Sequence, residues 1–471
     1  MKILNRNNAN LLSYRPVKII QFGTGNFLRG FVDWVIDILN EKADFNADIQ
    51  VVQPHGKSPA TVLNEQDGLY HVVTQGYRNG QVVDEARLIS CVRPAINSYL
   101  EYSRYLQLAE NAELRFVMSN TTEAGIYFDP QDDHWEKMPN SFPGKLTALL
   151  YCRFLHFNGD GTKGLIHLPC ELIEQNGVKL KQVVLQYADH WQLEDEFKQW
   201  ITNDNIFCNT LVDRIVPGFP HENADAIQQR LGYKDGLMVT AEPFHLWIIE
   251  GPHTVVKELP LEASGLDVFF VEDLSPYRTR KVRILNGAHT VMVPLAYLKG
   301  YRTVKEAVEA PEIKDFLNQV IFEEIIPTLD LSREELEKFA GDVIERFRNP
   351  FIKHQLKDIA LNSISKFQVR VLPSLLAYHN GKKMLPENLV LALAALIVFY
   401  RGNYGHEVLP VRDTPTVIKF FQEVWSNEDV LAIAEKVLGN TDLWQTNLND
   451  IDKLPELLAE KISLLLGDQE K

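Results

Sequence analysis

Four cysteines, Cys91, Cys152, Cys170 and Cys208, are all that 471 residues hold, and none stands in a Cys-x-x-Cys pair. That excludes a disulfide framework and a zinc knuckle, and predicts free thiols in a reducing cytoplasm. The amino-terminal stretch MKILNRNNANLLSYRP lacks the apolar core of a signal peptide. No apolar run is long enough for a bilayer. The longest, Leu389 to Tyr400, has about twelve residues where about twenty are needed, and it reads as a buried helix that Pro386 helps to start. A basic excess is missing too. The net charge is −15, which argues against nucleic acid or an anionic membrane surface as a partner. An anionic small molecule stays open, because a local basic pocket can sit on an acidic protein. There is no internal repeat, low-complexity tract or flexible linker, and no feature that sets an oligomeric state.

The length asks for more than one core. The first part alternates short apolar runs with helical spacing: VKIIQFG, then FLRGFVDWVIDILNEK, then IQVVQP, with ELRFVMSN and GLIHLP as later runs of the same kind. Apolar strands divided by amphipathic helices predict a parallel sheet covered on both faces. Asn79-Gly80, between alternating segments, predicts a hairpin inserted into that pattern. LMVTAEPFHLWII and LDVFFVED read as further strands. Later segments, from PEIKDFLNQVIFEEIIPTL to DKLPELLAEKISLLLG, carry helical periodicity without a strand of substance. Ser332 and Glu335 have the spacing of a capping box. The expected division is an α/β Rossmann-like dinucleotide-binding domain over residues 1–277 and an all-α domain over 278–471.

IIQFGTGNFLRGF sets Gly23 and Gly25 directly after a strand and before a helix. In that context backbone N–H groups can approach a pyrophosphate, which brings Gly23, Gly25, Asn26 and Phe27 into a candidate cofactor loop. The third glycine of the usual fingerprint is missing; Leu28 stands in its place. So is the acidic residue expected to end the second strand, where VVQPHGK offers Gln53 and Lys57. These residues leave NAD and NADP both open. In VMSNTTEAGI, Ser119, Asn120 and Thr121 follow another strand and can reach ribose or nicotinamide; an ordinary polar loop with Thr122 as a helix cap is the alternative.

In KVRILNGAHT a lysine, an asparagine and a histidine fall on the side of a helix that also carries Val282, Leu285 and Met292. With about 100° per residue, Asn286 lies about 140° and His289 about 80° round from Lys281. Polar groups there need partners. Neighbouring backbone is one source; a reaction site is the other.

Taken in order, GTGNFLRGF, FCNTLVDRIVP, AEPFHLWIIE and Lys281-x4-Asn286-x2-His289 resemble the long-chain polyol dehydrogenases, the mannitol dehydrogenase family, through nearly the whole chain. Within that family SFPGKLTALLYCRF and GLIHLPCELIEQNG look most like members that interconvert a keto-uronate and an aldonate with NAD. The resemblance implies hydride transfer without a catalytic metal, Lys281 as acid/base, Asn286 and His289 as the substrate-orienting pair, and Asn209 as part of an oxyanion site. One departure stands out: the residue three before the lysine, commonly glutamate in the polyol enzymes, is Arg278, so a proton relay through that glutamate does not carry over. A lysine that loses water has its pKa lowered toward working pH, and amide donors stabilise a developing alkoxide without a charge. A substrate carboxylate calls for a cation. Arg278, Arg280, Arg283 and Lys366 are near enough in pattern to be considered; Lys366 in SISKF is the expected contact with Arg278 as second, while Arg283 is expected about 200° from Lys281, pointing away. Fructuronate reductase or mannitol dehydrogenase of the same family, a nucleotide-binding sugar epimerase and a non-catalytic nucleotide sensor are the competing expectations.

Overall fold

The computed structural model describes residues 1–54, 56, 60–122 and 124–467. The chain divides into two units, Met1–Leu274 and Ser275–Lys471.

Six parallel strands form the main sheet of the first unit: β1 (Val17–Phe22), β2 (Asp48–Gln53), β3 (Val92–Asn97), β4 (Phe116–Ser119), β5 (Ile166–Pro169) and β6 (Ile206–Phe207). Their order is β3-β2-β1-β4-β5-β6, the doubly wound order whose direction reverses between β1 and β4. Alternate side chains feed separate cores. Ile19, Val51, Met118 and Leu168 enter one; Ile20, Val52 and Val117 enter the other. That two-sided burial is why these strands read as continuous apolar runs. After β1 come α1 (Asn26–Gly30) and α2 (Val32–Lys42), separated at Phe31, whose φ of −130° and ψ of −75° leave the helical region.

The Asn79-Gly80 hairpin joins Tyr70–Arg78 to Gln81–Ile89 with Arg78 opposite Gln81. Both turn residues have positive φ, 55° and 76°, as the tight two-residue turn requires. It does not enter the six-stranded sheet. It makes a three-stranded sheet with Val239–Ala241. The expected strand LMVTAEPFHLWII is two strands in two sheets, Val239–Ala241 and Leu246–Glu250. Pro243 lies at the break, where it has no N–H to give a ladder. Val268–Val271 pairs with the second piece, alongside Asn209–Asp213. The helix α3 (Asn176–His190) follows β5.

Among the described residues the second unit is helical apart from a two-residue-stranded hairpin, Asn403–Tyr404 with Glu407–Val408. Its central helix, α4 (Gly287–Leu298), has all twelve residues buried, so it packs on every side as a helix apolar all round must. The helices α5 (Ser363–Arg370) and α6 (Glu387–Phe399) pack on it. Before α4, residues Lys281–Asn286 form a π-helical turn that continues from Ser275–Arg280. A second π segment, Gln319–Ile325, interrupts the stretch expected to be one α-helix after Pro311. The capping box expected at Ser332 is half formed. Ser332 Oγ accepts from the Glu335 N–H at 3.3 Å, but the Glu335 carboxylate pairs with Arg280 instead of reaching back. The complete box is at Thr303 and Glu306.

Candidate active site

At the end of β1 the backbone turns at Gly23 with φ 127°, a conformation that favours glycine. A Cβ there would lie 2.8 Å from Leu28 Cδ1 and 3.2 Å from the Asn120 carbonyl oxygen. Leu28, in the place of the third glycine, is buried against this turn. Gly25 differs: it is exposed, its φ of −68° and ψ of 162° suit any residue, and a Cβ there would meet nothing within 4 Å. It stands at the N-cap of α1, which has no side-chain cap, so the first N–H groups of that helix are left for another acceptor. Open space above a glycine, beside uncapped N–H donors at the strand-order reversal, fits the diphosphate of a dinucleotide. Asn26 is exposed, and its Oδ1 accepts from Arg29 Nη2 at 2.6 Å. Phe27 stacks on Phe31 with centroids 5.0 Å apart. Gln53 ends β2 half-buried; Lys57 lies outside the described residues.

Across the reversal, the side chains of Ser119, Asn120 and Thr121 are engaged within the protein. Glu171 accepts from Ser119 Oγ at 3.0 Å, from the Thr121 N–H at 3.0 Å and from Thr121 Oγ1 at 2.9 Å. Asn120 Nδ2 donates to the Cys170 carbonyl at 2.7 Å. Burial raises the Glu171 pKa, opposed by its own backbone N–H and by the three contacts from Ser119 and Thr121. Together they tie the end of β4 to the end of β5. No helix begins at Thr122; the next, Phe142–His156, is capped by Ser141. Glu171 was not singled out by sequence, although its place two residues after β5 repeats the position of Thr121 after β4.

Asn209 is also built in. Its Oδ1 accepts from the Gly177 and Val178 N–H groups at 3.0 and 3.2 Å, capping α3, and Nδ2 donates to Glu250 at 2.7 Å. One Nδ2 proton is left over from those contacts.

In the second unit the π turn changes the angular reading of KVRILNGAHT. Hydrogen bonds of the i→i+5 kind carry about one more residue per turn, so Asn286 stacks over Lys281 rather than lying far round the cylinder. Lys281 and Asn286 are half-buried and His289 is buried. The His289 ring packs 4.1 Å from Phe347 and 5.3 Å from His354. Thr290 Oγ1 donates to the Asn286 carbonyl at 2.8 Å, which ties the π turn to α4.

The four cations have separate surroundings. Arg280 is buried, 2.7 Å from Glu335 and 4.4 Å above Phe339; its charge is spent inside the fold. Arg283 is half-buried, and its Nη1 donates to the Val369 carbonyl at 3.4 Å. Arg278 is half-buried and engaged within the protein. Lys366 gives one proton to the Ile359 carbonyl at 2.7 Å. Burial lowers its pKa, Arg370 adds to the lowering, and Asp413 opposes it. Among the described residues no group of three or more His, Cys, Asp or Glu is set to hold a metal ion, and no helix is long and apolar enough to cross a membrane.

Residues 17–263 match the mannitol dehydrogenase Rossmann domain and residues 273–466 the mannitol dehydrogenase C-terminal domain. The chain belongs to the mannitol dehydrogenase family. It is an oxidoreductase of that family, with the Rossmann-like unit first and the helical unit second. Three relatives are named altronate oxidoreductase. That of Bacillus subtilis (strain 168) is 51% identical over 461 residues, covering 98% of this chain and 95% of the relative. That of Phocaeicola vulgatus is 49% identical, covering 100% and 98%; that of Escherichia coli (strain HS) is 47% identical, covering 99% and 98%. Among solved structures, D-sorbitol dehydrogenase in substrate-free form has the same fold with a TM-score of 0.82 at 23% identity, covering 100% of this chain and 98% of the other. Pseudomonas fluorescens mannitol 2-dehydrogenase, in a ternary complex with NAD and D-mannitol, has a TM-score of 0.69 at 21% identity, again covering 100% and 98%.

Proposed function

We propose that this chain interconverts D-altronate and D-tagaturonate with NAD, in hexuronate breakdown in the cytoplasm, by hydride transfer that needs no catalytic metal. The observation that carries this reading is the identity of 47–51% to altronate oxidoreductases over almost the full chain. The intact Lys281-x4-Asn286-x2-His289 set supports a working site over a nucleotide sensor.

In this reading Gly23, Gly25, Asn26 and Phe27 hold the dinucleotide through backbone N–H groups. The Ser119-Asn120-Thr121 backbone borders the same reversal of the sheet, its shape fixed by Glu171. When bound, NADH supplies a hydride to the substrate carbonyl carbon. Lys281 as ammonium holds its proton at the carbonyl oxygen and releases it there as the alkoxide forms; in the reverse direction the neutral amine takes that proton back. Asn286 and the remaining Asn209 proton are the neutral donors to the developing charge. His289, buried against Phe347, fixes a neighbouring hydroxyl. Lys366 contacts the carboxylate, with Arg278 as the second candidate.

Lys281→Met separates chemistry from binding. Its expected result is loss of most NADH oxidation with D-tagaturonate, with NADH still binding as in the parent protein by fluorescence titration. Near-parental turnover of the variant across the pH range refutes the acid/base role.

A further inference from the structure

Lys366 and Arg370 are one helical turn apart on α5, so their side chains share a face. That helix lies close on α4: a Cβ on Gly287 would be 3.5 Å from the Arg370 carbonyl oxygen. The Arg370 guanidinium reaches across α4, with Nη1 donating to Thr290 Oγ1 at 3.5 Å. Thr290 is the residue after His289, and its hydroxyl bonds the Asn286 carbonyl. Arg370 therefore bonds the residue that follows His289 in the chain and that holds the Asn286 carbonyl.

Its charge is not neutralised. Arg280 and Arg302 in the same unit each meet a glutamate, at 2.7 and 2.6 Å. Among the described residues neither Arg370 nor Lys366 forms an ion pair with a carboxylate. The acid acting on Lys366 is Asp413, whose Oδ2 accepts from the Tyr400 hydroxyl and Oδ1 from the Thr414 N–H. Both cations are half-buried. Burial lowers the pKa of each, and the two repel each other on one face. An arriving carboxylate relieves the desolvation and the repulsion together. A guanidinium fork also presents two parallel N–H groups to the two carboxylate oxygens.

We propose that Arg370 is a substrate-binding residue that, with Lys366, receives the terminal carboxylate of the keto-uronate, in place of Arg278. The proposal rests on the keto-uronate reading above.

The test uses the full chain with Arg370→Met and Arg370→Lys, at saturating NADH. For D-tagaturonate the Met variant is expected to raise KM at least tenfold, with kcat changed less than threefold. Millimolar guanidinium added to the Met variant should recover part of the loss, and the Lys variant should fall between the two. The NADH dissociation constant should stay within twofold. An unchanged KM, or a fall in kcat without a rise in KM, overturns the assignment. So does an equal loss in both variants with no guanidinium rescue, the signature of a packing defect. A parent protein that leaves D-tagaturonate unreduced sinks the proposed function itself; an active parent with unaffected variants sinks only the role of Arg370.

Discussion

Two glycines in one loop answer differently to an added side chain, and the difference separates folding from cofactor binding. At Gly23 a methyl group meets Leu28 Cδ1 at 2.8 Å and the Asn120 carbonyl at 3.2 Å, with φ at 127°. Backbone strain of that kind costs about 1–3 kcal/mol, and overpacking against a buried leucine adds about 1–3 kcal/mol. For a unit of this size, Gly23→Ala should lower the melting temperature by roughly 5–15 °C. At Gly25 the backbone is extended and a Cβ meets no atom within 4 Å. Gly25→Val should leave the melting temperature of the cofactor-free protein within about 2 °C, since no contact is strained. Its branched side chain occupies the space in which a diphosphate would approach the N–H groups of α1, so NADH affinity should fall at least tenfold, about 1.4 kcal/mol. Thermal melting without cofactor and fluorescence titration with NADH read the two effects separately. A Gly25→Val protein that folds and binds NADH as the parent does refutes the loop assignment. A Gly23→Ala protein of unchanged stability refutes the packing argument.

His167 should set part of the acid limit of stability. Its ring is fully buried, stacks 4.1 Å from Phe207, and is 3.4 Å from Asn205 Oδ1; burial depresses its pKa to about 3. The unfolded chain takes up that proton near pH 6.5 and the folded one only near 3, so the contribution is complete above about 6.5 and is lost as pH falls toward 3. Between pH 7 and 5 the loss is about 2 kcal/mol. Asp33, raised to about 7 by burial, acts in the opposite direction and cancels when His167→Gln is compared with the parent in urea melts; the variant should lose about 2 kcal/mol less over that interval, and an equal loss in both contradicts the assignment. Lys366→Ala should weaken use of D-tagaturonate roughly tenfold or more, the value of a charge-assisted contact of about 1.5–3 kcal/mol, while affecting an uncharged keto-sugar much less; equal losses place the carboxylate contact elsewhere.

The strands of the Rossmann-like unit were legible because burial on both faces writes itself as apolar runs. Gly23 and Gly25 were legible because the strand-to-helix turn is local. What the sequence did not carry depends on meetings between distant residues. The break of LMVTAEPFHLWII into two sheets follows Pro243 but needs tertiary pairing to be seen. The π turn at Lys281–Asn286 adds about one residue per turn, a change that helical periodicity over a longer window averages away. Glu335 has capping-box spacing, yet Arg280 captures it from 55 residues away. The roles of Glu171 and Arg370 need tertiary contacts to be seen: one gathers Ser119 and Thr121, the other lies against α4 without a carboxylate partner among the described residues.

Initial rates of NADH and NADPH oxidation with D-tagaturonate, D-fructuronate, D-fructose and fructose 6-phosphate, side by side, test the central claim most directly. The expected result is the highest kcat/KM for D-tagaturonate with NADH, at least tenfold above every other pairing. A higher kcat/KM with D-fructuronate or an uncharged ketose, or NADPH used as well as NADH, contradicts it.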